Sequence, residues 1–149
     1  MRVLIYSQSV NTETVEYIKV CINELKKYKA KLYITDCFNK INNNKITFPS
    51  KTTIIKKISK TNKVDFLICF GGDGTMLKAA HLVNKLNIPI TGINTGRLGF
   101  LANIPKQNIS DLIISLKNKN FDISPRSIIK VYTSPKIKSS ISKFAINEV

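Results

Sequence analysis

Short apolar runs alternate with polar or glycine-punctuated stretches along the 149-residue chain, and the runs are of strand length. Arg2 to Ser7 is built on Val3-Leu4-Ile5-Tyr6. Lys31 to Thr35 reads KLYIT, Asp65 to Phe70 carries Leu67-Ile68-Cys69, and Pro89 to Asn94 carries Ile90 and Ile93. Between the first two runs, Asn11-Thr12-Glu13 gives a helix-start signal. Val15, Ile18, Ile22 and Leu25 follow at helical spacing, closed by Lys26, Lys27 and Lys29 where cations complement the helix dipole. That spacing predicts a helix of about four turns. The Asn-rich stretch Asp36 to Ser50 is expected to be a loop or a poorly ordered insertion. Thr53 to Lys60, with Ile54, Ile55 and Ile58 on one side, is expected to be a short helix. Thr75 to Leu86 predicts another helix, as does the set Ile109, Leu112, Ile113 and Leu116. Ile128 to Thr133 and Lys143 to Val149 read as strands. The alternation predicts an α/β fold, a parallel sheet flanked by helices with ligand sites at the carboxyl ends of its strands.

Composition narrows the picture little. The content is 43% hydrophobic and 22% charged, ordinary for a globular domain. No stretch approaches the ~18 to 20 apolar residues of a membrane span, and the amino terminus begins as a strand rather than a signal peptide, so no membrane partner and a cytoplasmic setting are expected. Cys21, Cys37 and Cys69 lack metal or redox spacing, and Cys69 inside an apolar run is expected to act as a small hydrophobe. His81 has no second histidine or nearby cysteine to make it a metal ligand. The formal charge of +15 is almost all lysine, dispersed among Asn and Ile with only Arg2, Arg97 and Arg126. Such enrichment follows from an AT-biased genome, and no aromatic-interleaved patch argues for a specific nucleic-acid partner.

The candidate chemistry lies in Gly71-Gly72-Asp73-Gly74-Thr75, between the strand ending at Phe70 and the next helix. Glycines let backbone amides approach a phosphate, and a helix amino terminus adds partial positive charge. A carboxylate there repels a phosphate unless it binds a metal or takes a proton, so Asp73 is the residue with a role to explain. Thr95-Gly96-Arg97-Leu98-Gly99-Phe100-Leu101-Ala102 forms a second glycine-punctuated turn in the same position relative to its strand. The nucleotide-facing loops are expected to be Gly71 to Thr75 and Asn94 to Leu101, at one edge of the sheet. Lys78, near the first turn of the helix, stands where a cation can reach a diphosphate, or else in solvent. Arg97 and Phe100 are open to phosphate contact or exposed loop, and to ligand wall or core, respectively.

The motifs GGDGT at Gly71 to Thr75, GINTGRLGFLAN at Gly92 to Asn103 and AINEV at Ala145 to Val149 resemble the bacterial NAD kinase family over the whole chain. The resemblance implies a Rossmann-like three-layer domain with a mainly parallel sheet. It also implies transfer of a phosphoryl group from ATP, or inorganic polyphosphate, to the 2′-hydroxyl of the adenosine ribose of NAD, giving NADP. Asp73 falls on the family's catalytic aspartate, the proton acceptor. Gly71, Gly72, Gly74, Thr75, Lys78 and Asn94 would belong to the nucleotide site. Phe100 would lie against the dinucleotide, and Asn147 with Glu148 would hold its polar edge. A divalent ion, Mg2+, is implied with ATP, and Asp73 could hold it instead of taking the proton. Family members assemble as dimers or tetramers, so a homo-oligomer is expected of the complete protein.

The chain stops at Asn147-Glu148-Val149, part-way through an expected strand, so a further segment is expected to follow. On this reading residues 1–135 are the α/β unit and 136–149 open a second, β-rich unit. The isolated chain is expected to be inactive and prone to self-association. The alternatives are a lipid or sugar kinase of the same superfamily, against which GRLGF counts, and a non-catalytic nucleotide-binding remnant.

Overall fold

Four of the apolar runs lie side by side in the centre of a sheet, and their near-continuous burial is what parallel strands covered on both faces require. The structure is a computed structural model, and it describes residues 1–83, 86–96, 99–130 and 144–146. The elements in chain order are β1 (Arg2–Ser7), α1 (Thr12–Lys27), β2 (Lys31–Thr35), α2 (Asp36–Asn42), β3 (Thr53–Ile55), β4 (Phe66–Phe70) and α3 (Asp73–Val83). They continue with β5 (Ile90–Asn94), β6 (Ile104–Pro105), α4 (Ile109–Asn118), β7 (Ile128–Lys130) and β8 (Phe144–Ile146), with short 3-10 turns at Lys60–Asn62 and Lys106–Asn108. Among the described residues six strands form one sheet in the order β3-β2-β1-β4-β5-β6, every neighbouring pair parallel. This is the α/β architecture expected from the alternation. β7 and β8 form a separate antiparallel pair, Ile128 opposite Ile146, that takes one strand from each side of the expected boundary at 135.

From β1 the chain moves outward to β2 and β3, then returns to place β4 on the other side of β1 and continues to β5. The order therefore reverses between β1 and β4, whose carboxyl ends are in register at Ser7 and Phe70. A crevice opens outside the strand ends at such a point. Arg2 fastens the opposite ends of the same two strands. Its guanidinium meets Asp65 Oδ1 at 2.7 Å and its backbone N–H donates to Asp65 Oδ2 at 2.7 Å. Burial works to raise the Asp65 pKa, and the hydrogen bonds from Arg2 outweigh it, so the carboxyl titrates below its ordinary value.

Helix α1 starts where expected, with Asn11 Oδ1 accepting from Thr14 N–H at 2.7 Å, and buries Ile18, Cys21, Ile22 and Leu25. It packs against α4 on one face of the sheet, while α3 packs on β4 and β5. α1 ends with Lys29 in the left-handed region at φ 52°, and Ala30 N–H reaches back to Leu25 O at 3.1 Å. α4 ends likewise at Lys119 (φ 56°), and the turn after Lys60–Asn62 ends at Lys63 (φ 50°).

Two expectations are corrected. Asp36 to Ser50 is not all loop, because Thr35 Oγ1 caps α2 by accepting from Phe38 N–H at 3.1 Å. The buried Asn42 side chain then clasps Ile46, accepting from its N–H and donating to its carbonyl, both at 2.8 Å. Phe38 and Phe48 close this segment edge to face, 6.0 Å between ring centres. Thr53 to Lys60 begins as strand rather than helix, since Thr53, Ile54 and Ile55 pair with Tyr33, Ile34 and Thr35 of β2. Three β-branched residues in a row fit the pleat better than a helical turn. β6 was not foreseen. α3 starts two residues earlier than predicted, at Asp73 itself.

Candidate active site

β4 delivers the chain to the crevice, and Gly71 makes the turn. Its φ is +147°, and a Cβ on it would stand 2.2 Å from Thr75 Oγ1, so only glycine fits between strand and helix. The Gly71 N–H donates to Ile93 O on β5, and the Gly72 carbonyl accepts from Thr75 N–H at 2.9 Å, opening α3. Thr75 is buried beneath the turn. A Cβ on Gly72, Gly74 or Gly96 would meet nothing within 4 Å, so the space in front of these three is open. Behind the turn, the Cys69 thiol donates to Met76 Sδ at 3.0 Å, and burial pushes that thiol up to about 12. Cys69 is thus the small hydrophobe the sequence suggested.

The Asp73 carboxylate turns toward the second loop and clasps it. Oδ2 accepts from Phe100 N–H at 2.8 Å, and Oδ1 accepts from Leu101 N–H at 2.9 Å and Ala102 N–H at 3.0 Å. These amides, Ala102 foremost, then Leu101, hold the carboxyl below its ordinary value of 3.8 against a smaller opposing effect of burial. The clasp therefore contributes stability above pH 3.8 and loses it as pH falls through the lower folded value. An ionised carboxylate offers about four lone-pair positions. Oδ1 uses two and Oδ2 one, which leaves one position on Oδ2 for a further donor.

Asn94, at the end of β5, braces the same loop from inside. Its side-chain amide donates to Ala102 O at 3.0 Å, and its Oδ1 accepts from Gly96 N–H at 2.7 Å. Phe100 has 93% of its surface exposed, so the core alternative for this ring is set aside. It stands at the rim of a cavity of about 760 Å³, lined among others by Met76, Gly92, Leu101, Ile104 and Phe121. Lys78 is exposed on α3. His81 Nδ1 lies 2.8 Å from Leu77 O on its own helix.

Gly71 to Thr75, Asn94 and Phe100 are thus gathered at one edge of the sheet, as expected from two turns that each follow an apolar strand. Arg97, Asn147 and Glu148 lie outside the described residues. Gln8 was missed: it follows β1 across the crevice, and its Nε2 donates to Gly74 O at 2.7 Å. Beside it, Ser7 Oγ lies 2.8 Å from both Phe70 O and Ser9 O. A polar residue directly after a central strand was the available signal. Among the described residues no three potential metal-ligating side chains stand together, and both Asp73 oxygens are engaged by amides. The residues in view do not form a cage for a divalent ion.

A glycine turn with a clasped carboxylate, at the point where a parallel sheet reverses its strand order, defines a nucleotide-binding α/β domain. Comparison with known proteins gives the family. The chain belongs to the ATP-NAD kinases, its residues 6–121 matching the ATP-NAD kinase N-terminal domain. It is 37% identical to the NAD kinase of Christiangramia forsetii over 153 residues, 100% of this chain and 51% of that protein. It is 30% identical to the NAD kinase of Cytophaga hutchinsonii, over 97% of this chain and 49% of that protein. The chain spans about half the length of the curated relatives it matches. A crystal structure of yeast NADH kinase complexed with NADH shares the fold, with a TM-score of 0.63 at 16% identity over 78% of this chain and 35% of that one.

Proposed function

We propose that this chain contributes the amino-terminal half of an enzyme that transfers the terminal phosphoryl group of ATP to the 2′-hydroxyl of the adenosine ribose of NAD, giving NADP. The observation that carries the reading is the acceptor capacity left on Asp73 Oδ2, in the same turn as Gly72 and Gly74, in front of which the space is open. A ribose hydroxyl donating to that oxygen is oriented by the same carboxylate that later takes its proton. With its pKa held low, Asp73 is a weak base toward a resting hydroxyl. It accepts the proton late, as the bond to phosphorus forms and the hydroxyl turns acidic. Gly71 to Thr75 at the start of α3 receive phosphate oxygens. Phe100 offers a flat apolar surface to the dinucleotide, Asn94 holds the second loop, and Lys78 adds a cation along α3.

Magnesium belongs to this reading only as the counter-ion of ATP. The reading places the reaction in the cytoplasm, with Asn147 and Glu148 on the dinucleotide's polar edge and the complete enzyme a homo-oligomer.

The test is a chimera of residues 1–149 with the remaining carboxyl-terminal part of the Christiangramia forsetii relative. Supplied with ATP, magnesium and NAD, it is expected to form NADP, and the 149-residue chain alone to run at least about 10²-fold slower, because a ribose held from one side is misplaced. A folded chimera that makes no NADP overturns the reading in favour of a non-catalytic nucleotide-binding domain.

A further inference from the structure

We propose that Gly99 is a positioning residue: the absence of a side chain at this Cα is what lets the Asp73 carboxylate clasp the second loop. The clasp fixes which Asp73 oxygen faces the substrate and where the Phe100 ring stands. The significance for catalysis rests on the function proposed above; the clasp itself does not.

The geometry is specific. A Cβ on Gly99 would lie 2.2 Å from Asp73 Oδ1, 2.6 Å from its Cγ and 2.8 Å from Oδ2. All three atoms of the carboxylate are in its way, and nothing else is nearer. The backbone of Gly99 is not in the left-handed region, so alanine adopts its conformation without strain and the substitution tests space alone. The three N–H groups that hold the carboxylate belong to the three residues that follow Gly99. A methyl group at position 99 therefore displaces the acceptor from all three donors at once. Asp73 is half-exposed at the first residue of α3 and outside the hydrophobic core, so the fold is expected to survive while the clasp opens. Phe100 N–H then loses the bond that holds the ring's backbone, and Oδ2 is no longer held in one orientation. Asn94 still holds the Ala102 carbonyl from the other side.

The contact links two loops 27 to 29 residues apart in sequence. It works in one direction for structure, holding Phe100, and in the other for chemistry, aiming Asp73. Gly99 touches neither substrate nor reacting atoms; it acts through Asp73.

The experiment is a pH titration of the ¹⁵N-labelled 149-residue chain followed by amide NMR, with Gly99→Ala and Asp73→Asn as variants. In the native chain the Phe100, Leu101 and Ala102 resonances are expected to titrate together with a midpoint below 3.8. In Gly99→Ala this common titration is expected to vanish, with the resonances of β1 and β4 unmoved. Asp73→Asn should abolish it in the native chain, which assigns the titration to this carboxyl. A common titration that persists in Gly99→Ala, or is missing from the native chain, overturns the proposal. Added NAD reads the other hypothesis separately: failure to shift the resonances of 71–75 and 94–101 counts against the proposed function and leaves the clasp standing. In the chimera, Gly99→Ala is expected to lower kcat about 10²-fold with a smaller change in KM for NAD. In an Asp73→Ala background it should cost nothing further, because its target is gone. Equal losses in both backgrounds refute action through Asp73.

Discussion

Asp73→Asn in the chimera is expected to lower NADP formation by about 10² to 10⁴-fold, the usual loss when a positioned acid-base group is removed. The amide is isosteric and keeps Oδ1 as acceptor for Leu101 and Ala102. Its Nδ2 replaces Oδ2, however, and sets a donor against the Phe100 N–H. One hydrogen bond is lost, at a cost of about 1 kcal/mol, so the melting temperature should fall by only about 2–4 °C. Rate and stability thereby separate: a folded variant with a silent site supports the proton-accepting role. Turnover near that of the unsubstituted chimera refutes it and leaves Asp73 as a loop tether alone.

Phe70→Ala is expected to be the most damaging substitution for the fold. The ring is wholly buried at the end of β4, directly before the glycine turn. Removing a buried phenylalanine costs about 3–5 kcal/mol, a large part of the roughly 5–15 kcal/mol that holds a domain together. At about 2–4 °C per kcal/mol the melting temperature should drop by roughly 6–20 °C. Ile54→Ala, on an edge-strand residue with 52% of its surface exposed, serves as the comparison and should stay within about 0.5 kcal/mol of the native chain. Calorimetry of the two variants decides the matter. Equal losses would show that β4 is not the core strand its burial makes it.

The central strands were legible because parallel strands covered on both faces carry near-continuous apolar runs, here Val3 to Tyr6 in β1, Leu32 to Ile34 in β2 and Phe66 to Phe70 in β4. The two glycine turns were legible because each follows such a strand. The edges of the sheet were harder to read. At β3, Ile54, Ile55 and Ile58 satisfy a helical spacing as well as a strand, and only pairing with β2 decides between them. At α2, the asparagines that suggested a loop include Asn42, whose side chain supplies the segment's own hydrogen bonds. The strand β6 is two residues long and has no pattern to read. Within the site, Asp73 could be singled out by its charge, but its partners are backbone amides, which every residue except proline has. No residue type announces them. The clasp emerges only when the fold brings the two loops together.

The lysines that end α1 and α4 and follow the turn at Lys60–Asn62 have a practical consequence. All six glycines of the chain fall between Gly71 and Gly99, so the left-handed bends elsewhere are left to side chains poorly suited to them, Lys29, Lys63 and Lys119 among them. Glycine at these three positions removes a backbone penalty of about 1 kcal/mol each, partly offset by the freedom glycine has in the unfolded chain. The protein thus carries a margin for laboratory evolution in bends outside the nucleotide loops, from which the stability lost to substitutions in those loops can be recovered.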